Sequence, residues 1–581
     1  MSRLTSTLAT IWRLSRPYLV SEDRFAGWLL LGSVIAIELS LAGLNVVFNR
    51  WNARFYNAIQ DRNWDSFIGE LEYFCVLAAA FILLAVYQIY LRQWLQIRWR
   101  SWMTRHYLAD WLSEANHYRM QMLGDAADNP DQRISEDINI FIERGLYVVV
   151  KLLGAVVTLF LFAGILWGLS DDAPLRLFGY DLVIPGYLLW AALVYALVGT
   201  VLTHWVGSAL IALTFQQQRY EADFRFNLVR ARENSEQIAL LRGEGAETPR
   251  LLERFANVIM NWRAIMLRTK RLTFLTSGYQ QVAIVFPYVV VSPGYFAGRL
   301  QLGGLMQTAS AFSSVHEALS IIVTIYREIA EWRAVIARLD GFDRAIAEAR
   351  RAAAAEPAIK VLSRANQDRV EIEQLKVRLP HGEPLVAVED IVVTAGERVL
   401  LTGPSGSGKS TLFRAIAGTW PFGAGTIVVP KGAKVMVLPQ RPYFPIGSLA
   451  AAVSYPAEPG TYSQAALADA VRAVGLPALA GRLEEEGHWN RTLSLGEQQR
   501  LGIARVLLQA PDYLFLDEAT ASLDEPAEAA LYRLIHERLK RTTIVSIGHR
   551  STLAAFHDRG LAMVRDGERY RLREAALQAA E

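Results

Sequence analysis

Long apolar runs fill the chain up to about residue 330. A helix that crosses a bilayer needs about 20 predominantly apolar residues. By that measure the pattern predicts six membrane spans, at 25–48, 72–92, 146–169, 183–213, 274–298 and 305–327. The fourth run is longer than a bilayer requires, so its helix is expected to continue into the cytoplasm. Beyond residue 330, short apolar runs alternate with polar segments, which is typical of a soluble α/β domain.

The segments between the predicted spans differ in positive charge. The segment between the second and third spans and the one between the fourth and fifth are rich in Arg and Lys, whereas the loops at 170–182 and 299–304 carry one Arg each. Cytoplasmic segments of membrane proteins carry the excess of positive charge. Both long segments and both termini are therefore predicted to face the cytoplasm. Their helical patterning indicates helices that leave the membrane, turn, and dock on the soluble domain.

The N-terminal residues predict a separate element. Residues 4–20 mix apolar side chains with Arg13 and Arg16, which favours an amphipathic helix on the cytoplasmic membrane surface, and a frayed terminus is the alternative. The expected domains are an N-terminal segment at 1–24, a transmembrane domain at 25–340, a linker at 341–370 and a soluble domain at 371–581.

Composition narrows the function classes. Hydrophobic residues make up 52% of the 581 residues and charged residues 20%, which is too apolar for a soluble enzyme. The net charge of +3 gives no indication of a nucleic-acid partner. The single cysteine, Cys75, excludes an intramolecular disulfide.

A glycine-rich stretch lies between a predicted strand at 398–402 and a predicted helix at 412–418. It fits the phosphate-binding pattern G-x-x-x-x-G-K-[ST] and consists of Gly403, Pro404, Ser405, Gly406, Ser407, Gly408, Lys409, Ser410 and Thr411. Backbone N–H groups and the helix dipole are expected to point at phosphates, with the positive charge of Lys409 beside them. Ser410 is expected to hold Mg²⁺. The stretch predicts a nucleotide site without indicating what the nucleotide drives.

A second stretch supplies carboxylates. The apolar residues 513–516 predict a buried strand that ends in Asp517 and Glu518. Asp517 is expected to bind the magnesium shell and Glu518 to polarise the attacking water. A strand that ends in Asp-Glu is also common in other α/β domains, so the surrounding motifs must decide.

Four further motifs follow in a fixed order along the soluble domain. They are Gln440 after a predicted strand, the run Leu493-Ser494-Leu495-Gly496-Glu497-Gln498-Gln499-Arg500, the triplet Ser522-Leu523-Asp524, and His549 after the strand at 543–547. With the two stretches above they resemble the Walker A, Q-loop, signature, Walker B, D-loop and switch-histidine motifs of ATP-binding cassette proteins. The fold class that this implies is a six-span helical membrane domain of the exporter type followed by an α/β P-loop nucleotide-binding domain.

The resemblance also implies the composition of the site. ATP and Mg²⁺ are the implied ligands, and two nucleotide domains pair head to tail. The loop 403–411 of one copy then faces Ser494 and Gly496 of the other, so a homodimer is expected. Implied contacts to the nucleotide also come from Gln440, Glu497 and Asp524, metal contacts come from Ser410, Gln440 and Asp517, and Glu518 and His549 are the implied catalytic pair.

The sequence departs from the common pattern in two places. The signature begins Leu-Ser-Leu-Gly-Glu instead of Leu-Ser-Gly-Gly-Gln, although Ser494 and Gly496 are kept. Leu379 stands where many members of the family place an aromatic residue that stacks on adenine. Selectivity for ATP over GTP is therefore left open.

The membrane part carries a narrower resemblance. Stretches of it are similar to the SbmA/BacA-like bacterial transporters and, more loosely, to the peroxisomal fatty-acyl transporters of subfamily D; they lie at 51–58, 128–134, 224–228, 233–239 and 295–298. The first resemblance implies uptake of peptides and other bulky hydrophilic compounds across the bacterial inner membrane. A turn between cytoplasmic helices is the structural alternative for the stretch at 128–134.

Three functions remain open at this point. Peptide uptake is the leading expectation, translocation or export of lipids or fatty-acyl chains is the second, and an ATP-hydrolysing membrane sensor is the third. Acidic side chains at membrane depth are costly and usually face a water-filled cavity or each other. Glu38 in the first span and Glu317 in the sixth are therefore candidates to line a substrate cavity.

Overall fold

The computed structural model describes residues 2–124, 129–172, 175–177, 180–182 and 184–577. The chain divides into two compact units, one of residues 1–107 and 129–340, the other of residues 108–128 and 341–581. We call them the membrane unit and the nucleotide unit. Asp128, the first residue of the stretch at 128–134, lies outside the described residues. Of the expected loop at 170–182, residues 173–174 and 178–179 also lie outside them.

Helices form nearly all of the membrane unit and pack on both faces of the main sheet in the nucleotide unit. In chain order they are α1 Ser2–Leu19, α2 Arg24–Gln60, α3 Trp64–Leu112, α4 Asn116–Leu123, α5 Pro130–Gln132, α6 Ile138–Asp172, α7 Tyr187–Glu233, α8 Ser235–Leu240, α9 Glu244–Phe296, α10 Leu302–Thr324, α11 Tyr326–Ala354, α12 Lys409–Ile416, α13 Leu449–Ser454, α14 Gln464–Ala473, α15 Pro477–Ala480, α16 Trp489–Thr492, α17 Leu495–Gln509 and α18 Glu525–Arg538.

Five of the described helices are long and apolar enough to cross a membrane: α2, α3, α6, α7 and α9. Each overlaps one predicted span; α7 begins at Tyr187, inside the span predicted at 183–213, and α9 ends at Phe296, inside the span predicted at 274–298. The helix α9 has 53 residues and is therefore about 80 Å long, far more than a bilayer core requires. The helices α3 and α7 are nearly as long, with 49 and 47 residues. Large apolar side chains such as Phe160, Leu197 and Val289 are exposed on these helices, which is the surface expected against lipid tails.

The sixth predicted span corresponds to α10, which is shorter and more polar. It is not among the five helices above, because Ser, Gln, His and Glu side chains dilute its apolar character. It packs against α2, α6, α7 and α9. Polar side chains of α2 hold its beginning, since the Asn57 Oδ1 atom accepts a hydrogen bond from the Gly303 N–H at 2.8 Å. That α10 spans the membrane stays a prediction.

The helix α1 coincides with the segment expected to be helical. Its Tyr18 ring is buried and stacks on Trp99 of α3, with 5.2 Å between ring centroids. Between α1 and α2, Asp23 forms an ion pair with Arg98 of α3. These contacts fix α1 against α3. Its position on a membrane surface stays a prediction.

Strands build the nucleotide unit, apart from a short hairpin of β1 and β2 in the membrane unit. In chain order they are β1 Leu175–Leu177, β2 Tyr180–Leu182, β3 Ile359–Arg364, β4 Arg369–Arg378, β5 Pro384–Val388, β6 Ile391–Thr394, β7 Arg398–Thr402, β8 Gly423–Pro430, β9 Val435–Leu438, β10 Gly447–Ser448, β11 Glu486–Gly487, β12 Tyr513–Asp517, β13 Thr543–Ile547, β14 Arg559–Asp566 and β15 Arg569–Ala575. Over the described residues, the main sheet has the order β3-β8-β4-β5-β15-β14-β7-β13-β12-β9, with β6 paired to β4.

The central strands of this sheet are buried on both faces. On β12, Leu514 and Leu516 belong to one core cluster with the helix α17, while Tyr513 and Phe515 belong to another with the helix α12. Successive side chains of a strand point to opposite faces. A continuous apolar run is thus what a parallel strand between two helical layers requires.

The nucleotide unit also includes residues that lie outside the expected soluble domain at 371–581, namely 108–128 and 341–370. Residues 341–354 continue α11, and β3 pairs with β8, so the segment expected as a linker is largely regular structure. The unit also includes part of the first long Arg-rich segment between the predicted spans, where Met122 of α4 packs against the sheet core.

Candidate nucleotide site

Four parallel strands bring the sequence motifs to one edge of the sheet. Their order is β9-β12-β13-β7, and every neighbouring pair is parallel. The chain that leaves these strands carries Gln440 after β9, Asp517 and Glu518 at the end of β12, His549 after β13, and the glycine-rich loop after β7. Because the carboxyl ends of parallel strands meet at the same edge, residues far apart in sequence form one site.

The loop 403–408 is shaped by left-handed glycines. Gly403, Gly406 and Gly408 have φ values of 145°, 76° and 87°, which other residues rarely adopt. A Cβ atom at Gly408 would also collide with Val386 and Leu385. The helix α12 then begins at Lys409, so its free N–H groups face the loop. This geometry is that of an anion site.

Lys409 and Ser407 carry the polar groups inside this loop. The Nζ atom of Lys409 donates to the carbonyl oxygens of Gly403 and Pro404, each at 2.8 Å. Burial lowers the pKa of the Lys409 ammonium, although Glu518 and Asp517 act in the opposite direction. The Ser407 hydroxyl is buried and has no hydrogen-bond partner among the described residues. A buried hydroxyl without a partner is costly, so the cradle fits a ligand rich in acceptor oxygens.

The expected magnesium ligands are in contact. The Ser410 Oγ atom donates to Asp517 Oδ1 at 2.8 Å. Burial raises the pKa of the Asp517 carboxyl, the bond from Ser410 lowers it, and Glu518 raises it further. No cluster of three or more His, Cys, Asp or Glu side chains that could hold a metal occurs within the described ranges. One carboxylate and one hydroxyl suit Mg²⁺, which binds few protein ligands and fills its shell with phosphate oxygens and water.

Glu518 is held from both sides. Its Oε2 atom accepts a hydrogen bond from Gln440 Nε2 at 3.1 Å, and its Oε1 atom lies 3.1 Å from His549 Nε2. Its backbone has φ = 49°, a left-handed conformation that is strained for a residue with a side chain. These contacts therefore fix the orientation of the Glu518 carboxylate. The structure brings the predicted catalytic pair, Glu518 and His549, together with Gln440.

The signature residues are shaped by their own helix. Ser494 is the N-cap of α17 and forms a capping box with Glu497, whose Oε2 atom accepts bonds from the Ser494 N–H at 2.8 Å and Oγ at 2.7 Å. In the described chain, no side-chain hydrogen bond joins Ser494 to the loop 403–411 of the same copy. Asp524 likewise caps α18 by accepting the Ala527 N–H at 3.0 Å. Among the described residues, no side-chain hydrogen bond joins Glu497 or Asp524 to that loop either.

One residue of the site was missed in the sequence. Gln499 is fully buried on α17; its Nε2 donates to the Gln440 carbonyl at 3.0 Å, and its Oε1 accepts the Ser522 N–H at 3.0 Å. It ties the Q-loop backbone to the loop after Glu518. The sequence signal for Gln499 is a polar side chain on the apolar face of an amphipathic helix. A polar side chain that is buried there requires hydrogen-bond partners.

The two candidate cavity residues lie on different helices of the membrane unit. Glu38 of α2 is half-buried, accepts a hydrogen bond from Gln88 of α3, and lies against Gly154 of α6, where a Cβ atom would collide with it. Glu317 of α10 is exposed. No described contact joins Glu38 to Glu317.

Comparisons with known proteins agree with this architecture. The family described as ABC transporter transmembrane region 2 matches residues 14–296, and the family described as ABC transporter matches residues 390–521. ABC transporter D family member 2, chloroplastic, of Arabidopsis thaliana is 33% identical over 95% of this chain and 86% of that protein. Inner membrane ABC transporter ATP-binding protein YddA of Escherichia coli is 32% identical over 92% of this chain and 94% of that protein.

Two further matches have lower sequence identity. The lysosomal cobalamin transporter ABCD4 of Mus musculus is 28% identical over 80% of this chain and 79% of that protein. A solved structure, a bacterial Atm1-family ABC exporter with ATP bound, superimposes with a TM-score of 0.69 at 19% identity and covers 93% of this chain and 94% of that one. The predicted helical membrane domain of the exporter type, followed by an α/β nucleotide domain, is confirmed.

Proposed function

We propose that this chain, which belongs to the ABC transporter family, imports peptides and other bulky hydrophilic compounds across the bacterial inner membrane. The protein couples ATP hydrolysis to transport, and its homologues include members of subfamily D. It is a multi-pass membrane protein with an exporter-type transmembrane region. Direction, substrate class and the cytoplasmic position of both termini belong to the proposal.

The substrate class rests on the exposed face of α10. Ser313 and Glu317 are both exposed and lie one helical turn apart, so they share a face. An acidic side chain at membrane depth is stable only beside water or a counter-charge. We infer that this face borders an aqueous path and that its negative charge favours cationic peptides. The similarity to a transporter of cobalamin, a large polar solute, supports passage of bulky hydrophilic cargo.

Different residues of the site bind the phosphates, hold the metal and orient the attacking water. Bound Mg·ATP supplies the γ-phosphoryl group and the metal that neutralises its charge. Ser407 and Lys409 bind phosphate oxygens, with Lys409 exchanging its two backbone carbonyls for them. Ser410 and Asp517 hold the metal. Glu518 orients the attacking water, and His549 keeps Glu518 in place.

A second copy of the chain completes the site. Ser494 makes no described side-chain hydrogen bond to the loop of its own copy, Gly496 follows it in the first turn of α17, and only one cassette is present in this sequence. We infer a homodimer in which these residues of one copy, together with Glu497 and Asp524 nearby, close over the nucleotide of the other. Hydrolysis removes the phosphate that bridges the copies and lets the dimer open.

Translocation of lipids or fatty-acyl chains is the second candidate. It is favoured by the similarity to a D family member and by the resemblance to peroxisomal fatty-acyl transporters. An acyl chain needs an apolar groove open to lipid, whereas a peptide needs a polar vestibule. A charged residue such as Glu317 on the proposed transport path favours a peptide substrate over an acyl chain.

Complementation of a bacterial strain that lacks its own peptide importer tests the proposal. Wild-type protein should restore sensitivity to a cationic antimicrobial peptide, and Glu518→Gln should abolish that sensitivity. Glu317→Gln should reduce it, while the matched exposed acid Glu136→Gln on the cytoplasmic side should not. Full sensitivity with Glu518→Gln would show that uptake is not ATP-driven. ATPase activity stimulated by fatty-acyl chains and not by peptide would favour the second candidate.

A further inference from the structure

A polar cleft of about 370 Å³ opens beside the start of α2 in the membrane unit. Glu22 and Asp23 line one side, and Ile97, Arg98, Trp102 and Arg105 of α3 line the other. None of these side chains has a part in the nucleotide site or on the exposed face of α10. The cleft is thus separate from both sites of the proposed function.

The residues of the cleft lie just outside the apolar runs of α2 and α3, which is where the headgroup layer is expected. Asp23 directly precedes α2, whose apolar run begins at residue 25, and it pairs with Arg98, six residues after the apolar run of α3 ends at 92. Six helical residues span about 9 Å, which is within the headgroup layer. The first turn of α2 exposes the large apolar side chains of Phe25 and Trp28 beside it. An aromatic residue in such a position is typical of the lipid–water interface.

The charges in the cleft are balanced but not all paired. The Arg98 Nε atom lies 3.1 Å from Asp23 Oδ2, and a second contact makes this pair bidentate. The pKa of Asp23 is held below its usual range by the hydrogen bond from Arg98, with a smaller contribution from Arg105. Arg105 is exposed and donates to Ser101 Oγ at 2.8 Å, which uses one of its five N–H groups. Glu22 is exposed on the facing side.

Aromatic stacking fixes the position of the Trp102 ring in the wall of the cleft. Trp102 stacks on His106 with 5.1 Å between centroids and packs at 5.9 Å against Tyr18, which itself stacks on Trp99. Burial raises the pKa of Tyr18 to about 12, so its ring stays neutral. The wall that carries Arg98, Trp102 and Arg105 is therefore fixed before any ligand arrives.

We propose that this cleft binds the headgroup of phosphatidylethanolamine from the cytoplasmic leaflet. The phosphate accepts hydrogen bonds from the Arg105 guanidinium, and the primary ammonium donates to the Glu22 carboxylate. The acyl chains run along exposed Ile97 and the apolar first turn of α2. A purely anionic headgroup would leave Glu22 facing negative charge, and a choline headgroup has no N–H to donate to it. The inference does not depend on what the protein transports.

The test compares lipid binding to the full-length protein, purified in detergent and stripped of lipid. Native mass spectrometry would follow titrations with phosphatidylethanolamine, phosphatidylcholine and phosphatidylglycerol that carry identical acyl chains. The first lipid should bind about tenfold more tightly than the other two, as expected from one charge-assisted hydrogen bond. Equal binding of the three, or preference for either of the others, would overturn the proposal.

Variants assign that preference to the cleft. Arg105→Ala should weaken phosphatidylethanolamine binding about tenfold, and Arg105→Lys should retain part of it. Glu22→Ala, which removes the acceptor, should abolish the preference over phosphatidylcholine and leave phosphate binding in place. Arg92→Ala, a change of an arginine on α3 that does not line the cleft, should leave the preference intact. A preference that survives both Arg105→Ala and Glu22→Ala would show that the lipid binds elsewhere.

Discussion

The Nε2 atom of His549 lies 3.1 Å from the Oε1 atom of Glu518, and the two residues come from the ends of neighbouring parallel strands. The other carboxylate oxygen accepts a hydrogen bond from Gln440. A carboxylate that is held at both oxygens can be aimed at one water molecule. Its orientation therefore depends on two loops that the sequence separates by more than 100 residues.

Replacing His549 by Ala removes one of these two restraints. The ATPase rate should fall by less than the about 10²–10⁴-fold that is typical of removing a general base, because Glu518 itself and its contact with Gln440 remain, while ATP binding changes little. Phosphate release and equilibrium nucleotide binding would be measured on the same preparation. Glu518→Gln serves as the matched comparison, since it keeps the shape but removes the base. Loss of nucleotide binding in His549→Ala would contradict this role.

Replacing Gln499 by Leu leaves the Gln440 carbonyl and the Ser522 N–H without their partner. The free energy of unfolding should decrease by about 1–3 kcal/mol, the usual cost of unsatisfied buried polar groups. We expect kcat to fall roughly tenfold, equivalent to about 1.4 kcal/mol, at nearly constant KM for ATP. Gln509→Leu, on the same helix but in an exposed hydrogen bond, is the control. A change in KM alone would argue against a positioning role.

Acid should destabilise the nucleotide unit through His557. Burial lowers the pKa of this histidine to about 4; its Nδ1 bonds to the Leu553 carbonyl and its Nε2 to Ser546 Oγ, both at 2.8 Å. Between its folded pKa and the unfolded value of about 6.5, the unfolded chain binds more protons, so stability falls as pH falls. The loss should reach about 2 kcal/mol at pH 5.

Thermal unfolding of the purified protein between pH 7.5 and pH 5 would measure this effect. His557→Gln should flatten the pH dependence even though it lowers stability at neutral pH. The exposed His381 provides the control substitution, His381→Gln, which should leave the slope unchanged. An unchanged slope in His557→Gln would assign the effect to another group.

Asp137 is a buried carboxylate of the membrane unit that pairs with two arginines. It is 1% exposed and pairs with Arg133 at 2.6 Å and with Arg338 of α11 at 2.6 and 2.8 Å. Asp137→Ala leaves two guanidinium groups near each other and should cost about 3–5 kcal/mol, as for other broken buried pairs. Thermal unfolding in detergent would report the change. Its exposed neighbour offers the control Glu136→Gln, and an equal effect of both would contradict a buried cluster.

The soluble half was more predictable than the membrane half, and the reasons are physical. The stretch 403–411 needs particular residues at particular positions, because glycines must adopt left-handed conformations and Lys409 must reach phosphate. The first five spans were evident because bilayer thickness sets a minimum apolar length. The span at 305–327 was weaker, since α10 carries polar side chains that only a protein or water environment explains.

Some contacts could not be predicted because they depend on which helices and strands become neighbours. The capping box of Ser494 and Glu497 is local and follows from their spacing, but the bridge from Gln499 to Gln440 and Ser522 depends on packing of α17 against two loops. Glu38 was recognised as unusual in an apolar run, whereas its partner Gln88 was not. Hydrophobic periodicity indicates which face is buried and not what it is buried against.

The sequence by itself determined the nucleotide chemistry and the separation into a membrane half and a soluble half. Each of these follows from local residue types and from solvent, which act wherever the chain goes. Only the tertiary structure decided that Gln440 and His549 both contact the carboxylate of Glu518. It also decided that Glu22, Arg98 and Arg105 line one cleft. Those relationships depend on strand order and helix packing, which bring distant residues within hydrogen-bond distance.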